Sequence, residues 1–443
     1  MGLALQTDLY ELTMAASYLR RGMTAPATFS LFVRRLPRRW GFLVACGLER
    51  CLDYLEALRF TDEDMNYLRR EQGYPEEVLE SFRRLRFTGD VWAVPEGRVV
   101  FPEEPLLEVT APLPEAQLVE SFLLNQMTFQ TAIASKAARC RLAAPSKTLV
   151  DFSLRRVHGI EAATAVARAT AMVGFASTSN VEAAKLLGLR ATGTMAHSYV
   201  EAFPSEAQAF RAFAEDYPDR VVLLVDTYDT LAGVDRAIDV GLDLAARGHK
   251  LVGIRLDSGD LGALAAEARA RLDAAGLQEV QIFASGGLDE DVVAELEKAG
   301  APIDAYGIGT RVGVSADAPY LDSVYKIVAY ADRPVAKLST AKATLPGSKQ
   351  VWRRSGWTGD VVGLREESGP SGAEPLLAPM MREGQRASRE GLAEAAERFA
   401  ADLDALPEGL RTLEPGPYSV TASNVLADLA EEVQERIRTR ERT

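Results

Sequence analysis

The chain has 443 residues, 47% of them apolar, which is enough for a large core and roughly two or three domains. Its 50 basic residues are outnumbered by 63 acidic ones, and the net charge of −13 argues against a duplex nucleic acid partner, because such binding is driven by clustered Lys and Arg. Cys46, Cys51 and Cys140 offer neither a disulfide framework nor a zinc pattern, no apolar run reaches the ~18 residues needed to span a bilayer, and the N-terminus lacks a basic-then-apolar leader; a soluble cytoplasmic protein is expected.

Residues 8–20, DLYELTMAASYLR, read as an amphipathic helix capped by Thr7 or Asp8. APATFSLFVRRLP (25–37) alternates and predicts a strand ending at Pro37. FLVACGLERCLDYLEAL (42–58) predicts a helix that carries both Cys46 and Cys51, and two shorter helices follow in FTDEDMNYLRR and PEEVLESFRRL. Residues 87–110 hold short strands punctuated by Pro and Gly, and residues 115–144 read as one long, mostly buried helix.

From about residue 147 the texture changes. KTLVDFS, MVGFAST, LRATGTMA, VVLLVDTYD, LVGIRLDSGD, QIFASGG and DAYGIGTR are short apolar runs, each ending in small, polar or charged residues, with helical stretches between them. Continuous apolar strands alternating with helices predict a parallel sheet covered on both faces. The strand number and the repeat of roughly 25–30 residues favour an irregular (β/α) barrel over an open doubly wound sheet. After residue 320 the pattern turns to antiparallel-looking strands, SVYKIVAY, RPVAKLST, QVWRR and TGDVVGL. A Gly/Pro/Glu-rich surface loop is expected over 365–385 and two polar helices near 388–403 and 421–440. The expected layout is an N-terminal α+β part (1–145), an α/β barrel with the active site (146–318), and C-terminal strands and helices (319–443) that pack back on the N-terminal part as one mixed domain. Lysine is scarce in this arginine-preferring chain, yet Lys326, Lys337, Lys342 and Lys349 fall in one short segment.

In a parallel barrel the working residues lie at the carboxyl ends of the strands. Those ends carry Phe152, Arg155 and Arg156; Ser177–Asn180; His197; Asp226, Thr227 and Asp229; Arg255, Asp257 and Asp260; Ser285–Gly287; and Gly307–Arg311. That inventory suits a polar ligand and holds no pair of neighbouring histidines for a metal cage. GIGTR (307–311) and ASGG (284–287) are glycine-rich turns after the last strands, where backbone N–H groups commonly receive a phosphate. Asp260 fits a helix N-cap, whereas Asp257 faces the mouth beside Arg255 and could accept hydrogen bonds from sugar hydroxyls. His249 follows a helix C-terminus, where an imidazole suits the dipole. His197 stands alone in a turn; a neighbouring carboxylate such as Asp226 would orient it as a nucleophile near neutral pH.

Taken together, TDLYELTMA (7–15), FVRRLP (32–37) with GFLVACGLE (41–49), DFSLRRVHG (151–159), STSN (177–180), GTMAHSYV (193–200), LVDTYDT (224–230), GIRLDSGDL (253–261), ASGGLDE (284–290), GIGTRVGVS (307–315), and VYKIV with AKLSTAKATLPGSKQVWR resemble the nicotinate phosphoribosyltransferase family in order and spacing. The resemblance implies condensation of nicotinate with phosphoribosyl pyrophosphate, driven by ATP with Mg²⁺, for NAD salvage. It implies the type II phosphoribosyltransferase fold in a homodimer whose active sites lie at the subunit interface. It casts His197 as the histidine that ATP phosphorylates, with Asp226 as its partner. Phe152 and, from the neighbouring subunit, Tyr10 would stack on the pyridine ring; Arg155 would hold the substrate near its carboxylate, and Arg255 and Asp257 would grip nicotinate and ribose. Gly286, Gly287, Gly307, Gly309 and Thr310 would cradle the 5′-phosphate, and Arg34, Lys326 and Lys337 would face the pyrophosphate or ATP phosphates. Ser179 stands where nicotinamide-using relatives carry Asp, which would repel a carboxylate substrate. Ser153 replaces the usual Gly, and no cysteine follows Cys140, so no structural zinc is expected. The alternatives are a quinolinate or nicotinamide phosphoribosyltransferase, or a non-catalytic nucleotide-binding relative.

Overall fold

Most of the apolar runs between residues 147 and 311 form parallel strands in a computed structural model, which describes residues 3–338 and 344–440. The architecture is mixed α/β, and the chain divides into two compact units. One joins the residues up to Ser135 to those from Tyr320 onward; the other is Lys136–Pro319.

Among the described residues, the second unit holds a six-stranded parallel half-barrel sheet. Its spatial order is Ser177–Thr178, Thr148–Asp151, Ala305–Ile308, Gln281–Ser285, Leu251–Leu256, Val221–Leu224. Thr148–Asp151, first in sequence, pairs with both the next strand and the last one, so the chain order runs around the sheet. The strands are short and most are apolar at their centres (Val221–Leu224 is buried throughout) because helices cover them, as with Thr230–Ala246 and Leu261–Ala274. LRATGTMA supplies no full strand: a single bridge between Thr178 and Ala191 extends the sheet there. Asp260 caps the helix Leu261–Ala274 as expected, and Asp229 and Asp289 do the same for the helices Thr230–Ala246 and Glu290–Lys298, each accepting a backbone N–H from the first helical turn.

The other unit is built on a seven-stranded antiparallel sheet, ordered Arg333–Pro334, Ser323–Tyr330, Pro26–Val33, Pro105–Pro112, Asp90–Ala93, Ala378–Arg382, Gln385–Arg386. Phe29 stacks on Tyr325 across two of its strands at 4.8 Å, and the Tyr325 hydroxyl donates to the Ala116 carbonyl. A four-stranded sheet, Glu374–Pro375, Lys349–Arg353, Asp360–Leu364, Val420–Ala422, completes it, followed by the helix Asn424–Arg440. Here Arg353 is buried, forked onto Asp360, with its guanidinium 3.9 Å from the Trp357 ring centroid.

Several expectations are corrected. The strand predicted to reach Pro37 stops at Val33. The helix predicted over 42–58 begins only at Leu48. Gly47 has φ +101°, and a Cβ there would strike the Gln126 carbonyl at 2.5 Å, so the chain turns before the helix, and Leu43–Val44 is a short strand. Cys46 therefore precedes the helix that carries Cys51, although both thiols are buried. The helix predicted over 115–144 is two, Leu113–Leu118 and Glu120–Ala143. The expected surface loop at 365–385 instead buries Leu376, Leu377 and Met381 and pairs Ala378–Arg382 with Asp90–Ala93. Of the lysine segment, Lys349 is buried in an ion pair with Glu108, 3.1 Å away, so it serves packing. Lys342 and the end of the predicted RPVAKLST strand lie outside the described residues.

Candidate active site

A parallel sheet places all its carboxyl ends on one edge, so the segments after its strands gather there. Phe152 follows Asp151 directly. A Cβ on Gly307, one strand over, would meet the Phe152 ring at 2.5 Å, so the ring lies against bare backbone that only glycine provides. The Arg255 guanidinium sits 5.3 Å from the centre of the same ring. Arg255 then turns to two further groups. Its Nε donates to the Ser285 hydroxyl at 2.7 Å and its Nη2 to Asp257 Oδ1 at 2.6 Å, while the Ser285 hydroxyl itself donates to Asp257. Burial would raise the Asp257 pKa, but the Ser285 hydroxyl and the Arg255 charge outweigh it and hold the carboxyl below its usual range. Asp257 is thus a fixed anion at the edge of the sheet.

His197 opens the short helix His197–Glu201. Its Nδ1 is 3.1 Å from the Thr227 hydroxyl and its Nε2 is 3.9 Å from Asp257 Oδ2, with the side chain 40% exposed. The expected Asp226 partner is corrected. The buried Asp226 accepts the Asp257 N–H at 3.1 Å and the Ser258 hydroxyl, so it holds the RLDSGD turn, and Thr227 and Asp257 flank the imidazole. Asp226 Oδ1 is buried without a hydrogen-bond partner.

The glycine-rich turns are steric necessities. Gly286 has φ +89°, and a Cβ there would lie 1.8 Å from the Asp257 carbonyl oxygen. Gly287, with φ +67°, faces open space, and Gly309 approaches the Phe152 carbonyl, 2.9 Å from where its Cβ would be. Thr310 begins a four-residue helical turn whose Arg311 reaches back to Asp289. Ser179 donates its N–H to the Asp151 carbonyl beside Phe152, and Arg155 is exposed on the turn Leu154–Arg156.

The remaining expected residues belong to the other unit. Tyr10 lies half-exposed on the helix Leu9–Arg20, its hydroxyl pKa raised by partial burial and by hydrogen bonding to Glu11. Arg34 pairs with Asp322 at 3.5 Å, Lys326 lies 3.9 Å from Glu120, and the Lys337 N–H donates to Thr344. Thr227, Ser285 and Ser258 are partners that the sequence pattern does not assign. Thr227 and Ser285 stand at strand ends and carried that positional signal; which way their hydroxyls turn did not show.

The model of the nicotinate phosphoribosyltransferase N-terminal domain matches residues 5–128, and that of the nicotinate phosphoribosyltransferase family matches residues 147–343. A nicotinate phosphoribosyltransferase of Mycobacterium tuberculosis is 46% identical over 435 residues, covering 96% of this chain and 93% of the relative. One from Bacillus subtilis is 43% identical and covers 79% and 73%. The crystal structure of human nicotinic acid phosphoribosyltransferase superposes with a TM-score of 0.87 at 31% identity, over 96% of this chain and 99% of that one. The chain belongs to the nicotinate phosphoribosyltransferase family.

Proposed function

We propose that this chain condenses nicotinate with phosphoribosyl pyrophosphate to give nicotinate mononucleotide and pyrophosphate, in NAD salvage, and couples the reaction to ATP hydrolysis through a phosphohistidine at His197. One observation carries the reading: Phe152, Arg255, Asp257 and His197 form one connected cluster, with 5.3 Å from the guanidinium to the ring centre, 2.6 Å from guanidinium to carboxylate and 3.9 Å from carboxylate to imidazole. In that cluster Phe152 would stack on the pyridine ring, and Arg255 would attract the nicotinate carboxylate. The ionised Asp257 would accept from the ribose hydroxyls and stabilise positive charge as the bond from C1 to pyrophosphate loosens ahead of attack by the ring nitrogen. Ser179 leaves the carboxylate unopposed by charge, Arg155 would add attraction, and Gly286, Gly287, Gly307, Gly309 and Thr310 would offer backbone N–H groups to the 5′-phosphate.

Tyr10 would close the other face of the pyridine ring from a second copy in a homodimer, with Arg34, Lys326 and Lys337 facing the pyrophosphate or ATP phosphates. The parallel half-barrel would be part of an irregular barrel in a cytoplasmic enzyme. Among the described residues no three His, Cys, Asp or Glu side chains gather into a metal cage. Mg²⁺ needs none, since it binds through one or two carboxylates plus substrate phosphates; Asp226, with its unpartnered Oδ1, and Asp257 suit that role. When bound, Mg²⁺ would neutralise charge on the leaving pyrophosphate.

The test of the coupling is His197→Ala. The variant should lose nicotinate-stimulated ATP hydrolysis while keeping slow ATP-independent synthesis. Stimulated hydrolysis that survives the substitution would rule out the phosphohistidine.

A further inference from the structure

Asp151 lies one residue before Phe152, is 1% exposed, and makes no contact with Arg255, Asp257 or His197 among the interactions described for it. Its bonds run elsewhere. Oδ1 accepts the Ser153 N–H at 2.9 Å, which curls the chain around Phe152. Oδ2 accepts the Thr178 hydroxyl at 2.7 Å, and that hydroxyl in turn accepts the Asn180 N–H at 3.0 Å. The Asp151 carbonyl accepts the Ser179 N–H at 2.8 Å. On the other side the Phe152 N–H donates to the Ile308 carbonyl at 2.9 Å. The buried carboxylate therefore joins its own turn to the STSN segment, while main-chain bonds of Asp151 and Phe152 reach Ser179 and the GIGTR segment, whose Gly307 backs the Phe152 ring. The curl has a steric counterpart, since a Cβ on Gly313 would lie 2.6 Å from the Ser153 Cβ, so Ser153 fits only because position 313 is glycine.

We propose that Asp151 is a positioning residue for the pyridine substrate. By fixing Ser153 and Thr178 at once its carboxylate sets the plane of the Phe152 ring and its separation from Ser179. A buried carboxylate bonded only to neutral donors costs desolvation energy, and burial pushes the Asp151 pKa up. A neutral residue would fill the core at lower cost, but would not hold two segments by two directed bonds. The effect falls on one substrate, because the two segments that the carboxylate joins carry Phe152 and Ser179, whereas Arg255 and Asp257 are held through Ser285 and Asp226, and the GIGTR segment by a main-chain bond that a substitution at Asp151 keeps.

This inference rests on the function proposed above, and its test separates the two. Wild type, Asp151→Ala and the conservative Asp151→Asn are compared by steady-state kinetics in each substrate and by crystal structure. Asp151→Ala should raise the KM for nicotinate about tenfold or more, leave the KM for phosphoribosyl pyrophosphate within about twofold, and show the Phe152 ring displaced from Gly307. Asp151→Asn, which keeps an acceptor for Ser153 and a partner for Thr178, should restore most of the nicotinate KM. If Asp151→Ala does not fold, Thr178→Val, which removes one of the two bonds, carries the same expectations. An unmoved ring, an unchanged nicotinate KM, or equal rises in both KM values in a folded variant would overturn the proposal. A wild type that does not use nicotinate would sink the functional reading instead, and the ring position in the variant would then decide this inference alone.

Discussion

At Gly286 the backbone takes φ +89°, and a Cβ would lie 1.8 Å from the Asp257 carbonyl oxygen; its neighbour Gly287 is at +67° with nothing within 4 Å. Both conformations disfavour a side chain, but only the first also collides with the turn that holds Asp257. Gly286→Ala should therefore cost about 1–3 kcal/mol or more of stability and, by shifting Asp257, on the order of a hundredfold in kcat/KM. Gly287→Ala should cost about 1 kcal/mol and leave kcat/KM within about tenfold of wild type. Thermal unfolding and steady-state assays of the two variants side by side check this; equal activity losses would show that the contact with Asp257 is irrelevant. At this scale much was legible in the sequence: Phe152, Arg255, Asp257 and His197 stand out because each follows an apolar run. The partner of His197 was not, since a strand end fixes where Asp226 and Thr227 sit but not their rotamers. In LVDTYDT the acid turns to the RLDSGD turn and the threonine to the imidazole.

The helix Leu9–Arg20 packs Glu11 into the core at 0% exposure, where the Gln117 amide donates to it at 2.6 Å. Burial, opposed by hydrogen bonds from Tyr10 and Gln117, pushes its pKa from 4.5 up to about 7. A carboxyl whose folded-state pKa is raised stabilises the fold while protonated, and that contribution fades as pH rises from about 4.5 through about 7. Glu11→Gln keeps an acceptor for Gln117 and removes the ionisation. Its Tm relative to wild type should therefore rise by a few degrees (roughly 2–4 °C) between pH 5 and pH 8, measured by calorimetry. A difference independent of pH would mean that Glu11 is ionised throughout. Element by element, the parallel strands were legible because a strand covered on both faces reads as an unbroken apolar run. What hid were breaks set by single contacts: Gly47 against Gln126 delays a helix, and the Gly/Pro/Glu-rich stretch that resembled a loop supplies an edge pairing to Asp90–Ala93.

For the molecule as a whole, alternation of apolar runs with amphipathic helices made the parallel sheet legible, while an irregular barrel and an open doubly wound sheet both fit that alternation. The segment LRATGTMA shows where that argument stops: its pattern matched its neighbours, yet only Ala191 bridges to the sheet. Activity follows from which groups stand on the carboxyl edge. On the function proposed here, Arg255 beside Phe152, with Ser179 uncharged, would receive an aromatic ring bearing one carboxylate. The most direct measurement is product formation by the purified chain from phosphoribosyl pyrophosphate and each of nicotinate, nicotinamide and quinolinate, with and without ATP. Nicotinate should be used at least about a hundredfold more efficiently than the other two, and faster with ATP. Preference for quinolinate with release of CO₂, or for nicotinamide, or no turnover of any of the three, would contradict the account.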